Sequence, residues 1–229
     1  MKRFYRAADV AARGGAFEVV LDGRPVRSPG KRSLVMGEAL ARAVAAEWAA
    51  QGETVALAAM PLMLLAGRAV DVVGPERARI VGEVAGYGRA DMLCYRAEAP
   101  PELVRRQHER WQPWLDWAAE MHGARLAVAH GVMFAEQPPA ALAALARAVE
   151  AQDDWRLAAL MQATHAMGSL VLGLALVAGR IEAEAASALA ALDETYQIER
   201  WGEDAEAAAR RDAVAADVAA AARFVALLG

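Results

Sequence analysis

FEVVLDGRPVRS, residues Phe17–Ser28, decides how the fold begins. Two β-prone runs flank Asp22-Gly23, and an Asp-Gly pair supplies the positive φ angles that a two-residue type I′ hairpin requires. Ser28-Pro29-Gly30-Lys31 adds a second turn, because proline presets φ and glycine relieves the turn sterically. Ser33-Leu34-Val35 then resumes the extended pattern, so three or four short strands are expected. Beyond Gly37 the period changes. Leu40, Val44 and Trp48 recur every four residues, which predicts an amphipathic helix ended by Gly52 and laid over the small sheet.

Working outward, Met60-Pro61 opens another helix, with proline at a first-turn position where its missing N–H removes no bond. Gly74-Pro75 closes that helix and starts the next. Nearly everything afterwards reads helical, with breaks near Gly88, Pro100, Gly123, Pro138, Gly179 and Gly202. The exception is Leu126–Met133, LAVAHGVM, whose alternation predicts a strand that returns to the N-terminal sheet. The expected fold class is α+β: a small N-terminal α/β domain with an antiparallel sheet, residues 1–74, followed by a larger C-terminal α-helical bundle domain, residues 75–229.

Composition narrows the function classes. A chain of 229 residues with 57% hydrophobic content can bury a sizeable core. One cysteine, Cys94, excludes an intramolecular disulfide framework and a cysteine-based zinc site. The N-terminus has no apolar core of the kind a signal peptide needs, and no organelle presequence is recognisable. Ala166–Ala178 is the longest strongly apolar run, thirteen residues against the roughly 20 needed to span a bilayer, so membrane insertion is not expected. The net charge of -4 is unevenly spread: eight Lys or Arg against three acids in residues 1–32, and eight acids against three arginines in residues 193–217. The basic stretch lacks interleaved aromatics and is better read as solvated faces than as a nucleic-acid surface.

No constellation assembles an active site. The four histidines, His108, His122, His130 and His165, lack metal-ligand spacing. Neither Thr164 nor Ser169 beside His165 sits in a nucleophile elbow. Gly14-Gly15 and Gly86-Tyr87-Gly88 lack phosphate-loop spacing, and no cofactor is implied. Trp111, Trp114 and Trp117 form a helical aromatic stripe that reads as core, with a binding ridge as the alternative, interrupted by Pro113, which is expected to kink or divide the helix. Gly168 and Gly173 lie in an apolar run, where each glycine costs about 0.5 to 1 kcal/mol relative to alanine. Close approach of a neighbouring helix compensates for that most simply; a lipid or cofactor groove is the alternative.

LDETYQIERWGED, Leu192–Asp204, holds five acids and two aromatic rings in thirteen residues. Gly202 is placed to end one helix so that Glu203 and Asp204 begin the next, where carboxylates are favoured. That capping account stands level with a second one: Trp201 as an anchor with a rim formed by Glu194, Glu199, Glu203 and Asp204, selecting a partner that presents arginine or lysine.

RFY at Arg3–Tyr5, LDGRPVRSPGK at Leu21–Lys31, AAEW at Ala45–Trp48, MPL at Met60–Leu62, DMLCYRA at Asp91–Ala97, GSLVLGLAL at Gly168–Leu176 and LDETYQIERWGED together resemble the assembly chaperones of the F-type ATP synthase α subunit. Met63 after MPL and Gly88–Ala90 before DMLCYRA depart from the commoner pattern. The resemblance implies an N-terminal α/β domain, a C-terminal helical domain and a non-enzymatic role: binding the free α subunit and shielding it from aggregation until the β subunit replaces the chaperone. It also implies an important acid in the helical domain, carried here onto Glu203, with Glu199 and Glu194 as alternates. The family occurs in mitochondria and some bacteria, so the bacterial cytoplasm is expected, or the mitochondrial matrix for a processed organelle protein. The competing class is a small-ligand protein or enzyme with a pocket in the helical domain around His165 and Trp201.

Overall fold

Asp22 and Gly23 both take positive φ, 48° and 78°, in the structure, a computed structural model that describes residues 1–131 and 134–229. They form the two-residue loop between β2 (Ala16–Leu21) and β3 (Arg24–Pro25), with Leu21 opposite Arg24. The Asp22 carboxylate also accepts the backbone N–H groups of Ala7 (2.9 Å) and Arg6 (3.1 Å), bonds that hold it below the usual carboxylate range. The turn therefore anchors the incoming chain as well as reversing it. β1 (Ala8–Arg13) pairs antiparallel with β2, giving the order β1-β2-β3.

α1 (Glu38–Ala49) buries Leu40, Val44 and Trp48, the face its period predicts. The Tyr5 hydroxyl donates to the Trp48 carbonyl at 2.6 Å, and the two rings meet edge-on at 5.6 Å. Glu47 of α1 accepts the N–H groups of Leu62 and Met63 at 2.9 Å. Those are orphan donors in the first turn of α2 (Pro61–Arg68), so a carboxylate from another helix serves as its cap. Ser28 Oγ donates to Asp71 at 2.6 Å and the Gly30 N–H donates to the same carboxylate at 2.8 Å, tying the second turn to the π turn at Ala69–Val73. These elements form one compact unit, Met1–Arg77, which also takes in Asp154–Ala159 and Arg223–Gly229. Trp155 stacks on Phe224 at 6.0 Å within it. Position along the chain alone would have assigned these two late segments to the helical part.

The second unit comprises Ala78–Asp153 and Leu160–Ala222. Its elements are drawn from α3 (Arg77–Gly86), β4 (Tyr95–Arg96), α4 (Pro101–His122), β5 (Ala129–His130), α5 (Pro139–Glu150), α6 (Asp154–Met167), α7 (Leu170–Val177), α8 (Ala183–Ala190), α9 (Leu192–Trp201) and α10 (Ala205–Ala226). The fold is α+β, with an antiparallel N-terminal sheet followed by a mostly helical region. The strand expected over Leu126–Met133 is shorter and pairs elsewhere. Ala129–His130 lies parallel to Tyr95–Arg96 instead of joining β1–β3, while Val132 and Met133 fall outside the described residues.

α7 is the central helix, with all eight residues buried. Gly168 and Gly173 turn out to serve different needs. Gly168 has φ +66° and sits at the break after α6, whereas a Cβ on Gly173 would lie 2.5 Å from Thr164 Oγ1 of α6. Asp91, fully buried, accepts from Ser169 Oγ (2.8 Å) and from the Val171 N–H (2.9 Å), closing the N-terminus of α7; burial pushes its carboxyl up. Pro113 neither divides nor ends α4, which runs on for 22 residues. Trp111, Leu115 and Trp117 are buried on its inner face, and packing of this kind outweighs the lost backbone bond.

Candidate functional site

The acidic segment divides by what each side chain touches. Asp193 accepts from the Gln107 amide at 2.7 Å. Gln107 in turn accepts the Ala97 N–H, and its carbonyl accepts from the buried Arg96. Asp193 is therefore spent on joining β4, α4 and α9. Glu199 accepts from Arg106 at 2.8 Å, and Arg200 donates to Glu102 at 2.5 Å. Both guanidinium groups lie over the buried Tyr196 ring, at 5.3 and 4.5 Å from its centre. The result is a ladder that clamps α9 to α4, and the Arg106 hydrogen bond holds the Glu199 carboxyl below the usual carboxylate range.

Glu194 and Glu203 face α10. Glu194 meets Arg210 at 3.3 Å and Arg211 at 3.6 Å, and Arg211 also donates to Glu203. Gly202, at φ +88°, ends α9. Asp204 accepts the Ala207 N–H at 3.2 Å, three residues on, in the position of an N-cap for α10. Trp201 stands 77% exposed at the same corner. The structure thus brings Trp201, Glu203 and Asp204 together at the α9–α10 corner, with Glu194 beneath Arg211. It places Glu199 on the α4-facing side of α9. The capping account holds for Asp204, while Trp201 is an exposed ring beside Glu203, whose carboxylate pairs with Arg211.

An open groove of about 690 Å³ runs between α4, α8 and α9. Its floor is Ala185, Ala188, Leu189 and Leu192, and the α4 wall carries Arg105, Arg110 and the half-buried Trp114. Sequence reasoning placed Trp114 in the core with its neighbours. Phase gives no warning of this, because position 114 falls between the buried Trp117 and Ala118 around the helix; the groove beside α8 and α9 leaves it half-buried.

The hydrolase-like residues have structural duties. Ser169 is fully buried and caps α7 by accepting the Leu172 N–H at 3.1 Å while donating to Asp91. His165 pairs with Glu83 at 3.3 Å and stacks on Tyr87. Cys94 is buried, its thiol pushed up to about 12 by desolvation and then by the Asp91 charge. Among the described residues no three His, Cys, Asp or Glu side chains are grouped to hold a metal, and no helix is long and apolar enough to cross a membrane.

A model of the family described as ATP12 chaperone protein matches residues 2–119. The mitochondrial protein atp12 of Schizosaccharomyces pombe is 25% identical over 214 residues, covering 88% of this chain and 74% of its own. The crystal structure of Atp12 from Paracoccus denitrificans is 41% identical with a TM-score of 0.94, covering 100% of this chain and 98% of that one. An aspartate-to-lysine mutant of P. denitrificans Atp12p gives the same values. A solved protein of Agrobacterium tumefaciens is 40% identical with a TM-score of 0.93, covering 100% of this chain and 86% of its own. With a family model spanning half of its length and solved relatives matching all of it in both sequence and fold, the chain belongs to the ATP12 chaperone family.

Proposed function

We propose that this chaperone binds the free α subunit of the F-type ATP synthase catalytic sector and holds it out of aggregation until the β subunit takes its place, without catalysis. The observation that carries this reading is the α9–α10 corner, where Trp201 stands 77% exposed beside Glu203 and Asp204. A large ring kept out of the core by a glycine-terminated helix has no role in stabilising the fold, and an exposed aromatic with a charged rim is the usual anatomy of an interface anchor. An unassembled subunit exposes apolar surface normally covered by its neighbour, and patches of that kind drive wrong association. Reversible cover needs moderate affinity, with apolar contact from Trp201 and steering by the carboxylates, so that the native neighbour can displace the chaperone.

The test is co-purification of the chain with isolated α subunit, followed by addition of β. Specific capture reversed by β is expected; no capture of native or freshly unfolded α overturns the reading. Glu203→Lys is expected to abolish capture while leaving the fold intact. The aspartate-to-lysine mutant and the unsubstituted Paracoccus protein match this chain with the same TM-score of 0.94, so reversing one acid in that relative leaves its fold unchanged. Because lysine at position 203 would also repel Arg211, Glu203→Gln serves as the milder variant. Full capture by both folded variants removes Glu203 from the site.

A further inference from the structure

A second concave site lies in the N-terminal unit, far from the acidic segment in sequence, and its assignment does not rest on the capture reading. We propose that the pocket beside β3 binds an extended, acidic segment of a partner protein, seating one apolar side chain between flanking carboxylates. The pocket holds about 470 Å³, within the range of about 300 to 1,000 Å³ that small-ligand sites occupy. Tyr5, Leu21, Val26 and Trp48, all buried, form its apolar wall. Phe4 also lines it, 63% exposed and edge-on to the Tyr5 ring at 5.3 Å. A lone exposed ring is ordinary, but one that continues an apolar wall gives an inserted side chain more surface to take from water.

Charge decides what accompanies that side chain. Arg24 and Arg27 line the pocket and are exposed, and among the described residues their side chains have neither a hydrogen bond nor an ion pair. Asp22, the carboxylate of the lining, is already committed to the N–H groups of Arg6 and Ala7. The other acids of residues 1–37 are engaged too: Glu18 pairs with Arg13, and Asp9 accepts the Val10 N–H. Arg3 donates only to carbonyls in its printed bonds, those of Tyr5, Gln51 and Arg6, and both Arg3 and Arg6 lie close enough to Asp22 for their charges to act on it. The pocket therefore carries two free cations against one committed carboxylate, with further positive charge beside it.

Geometry favours a peptide over a small acid. Arg24 and Arg27 are three residues apart on an extended segment, about 10 Å, and such positions carry their side chains on opposite sides. Two carboxylates on one peptide, on either side of an apolar residue, suit that separation better than a single carboxylate does. The segment is held by its side chains and not by extension of the sheet. The Val26 N–H points inward to the Val19 carbonyl at 2.8 Å, so the outward position on β3 is Pro25, which has no N–H to give. Single-stranded nucleic acid needs successive open rings to stack on, whereas Tyr5 and Trp48 are buried.

The probe is a fluorescein-labelled peptide with phenylalanine flanked by two glutamates on each side, its anisotropy followed as the full chain is added at low salt. Saturable binding is expected, at least tenfold tighter than that of equally labelled peptides with lysines for the glutamates or glycine for the phenylalanine. Arg24→Glu/Arg27→Glu, shown to be folded by circular dichroism, is expected to bind at least tenfold more weakly, and Phe4→Ala at least threefold. Arg24→Gln/Arg27→Gln replaces the charge reversal if that variant unfolds. Arg125→Glu, an exposed charge reversal in the other unit, is expected to change nothing. No saturable binding up to millimolar peptide overturns the site, as does undiminished binding by a folded double variant. Equal binding of the glycine peptide means a plain basic surface and also overturns it. Displacement of the probe by a single-stranded oligonucleotide at lower concentration than by unlabelled peptide assigns the pocket to nucleic acid and overturns it as well. None of these outcomes bears on α-subunit capture, which the co-purification decides separately.

Discussion

Replacing Gly173 with alanine sets two opposed effects against each other inside the central helix. Alanine in a helix interior is favoured over glycine by about 0.8 to 1.0 kcal/mol, so a position judged by propensity alone should gain stability. The added methyl, however, would lie 2.5 Å from Thr164 Oγ1 and 3.1 Å from Leu160 Cδ1. Thr164 is fully buried and β-branched, so its oxygen cannot swing aside as the end of a long side chain would. Overpacking of a well-filled core costs about 1 to 3 kcal/mol, and with an oxygen that cannot move aside the clash wins by about 1 kcal/mol at the middle of that range and about 2 at its upper end. With a urea dependence of about 2 to 3 kcal/mol per molar, the midpoint of Gly173→Ala should fall by about 0.5 M. Thr164 Oγ1 has no hydrogen-bond partner among the described residues, so Thr164→Ala removes the obstructing atom without breaking a bond. The double variant should recover most of the loss that the alanine at 173 causes, giving a coupling of about 1 kcal/mol or more in a double-mutant cycle. A Gly173→Ala chain as stable as its parent, or a cycle with no coupling, would refute the close-approach account of this glycine.

Two more predictions concern stability. Cys94 keeps its proton in the folded chain up to about 12, whereas an unfolded thiol ionises near its ordinary pKa of about 8.5. The folded state therefore holds more protons between these values, and stability falls as pH rises through that window, by about 2 kcal/mol at pH 10 from this group. Urea titrations at pH 8 and pH 10 should show a smaller loss for Cys94→Ala than for the parent; equal losses count against the buried, protonated thiol. Asp204→Ala removes the N-cap of α10 and should lower stability by about 1 kcal/mol, read as a thermal shift. A negligible shift with weakened capture would instead assign Asp204 to the client alone.

The seven strings that carry the family resemblance are mostly scaffold. Tyr5 of the first meets Trp48 of AAEW, Glu47 of AAEW caps the helix that MPL opens, and Asp91 of DMLCYRA caps the helix of GSLVLGLAL. The exposed parts are Phe4, most of the turns within Asp22–Lys31 and the end of the last string, from Trp201 to Asp204. A recognisable motif in this chain therefore marks a place where distant elements are locked together more often than a place where a partner binds.

What the sequence by itself determined was whatever depends on neighbours within a few residues. The Asp22-Gly23 turn is legible because positive φ at two successive positions is a local demand. The buried face of α1 is legible because a period near four is a property of the helix alone. Tertiary structure decided what depends on atoms far along the chain. Gly168 and Gly173 are the same residue in the same apolar run, yet one answers a local φ and the other a threonine on another helix. β5 found its partner in β4 and not in the N-terminal sheet, because strand pairing is a long-range choice. The acids of Leu192–Asp204 were visible as a cluster, but Asp193 and Glu199 were assigned only when Gln107 and Arg106, some 90 positions earlier, closed on them. A carboxylate's function is set by which cation or amide reaches it, and in this fold those groups come from other helices.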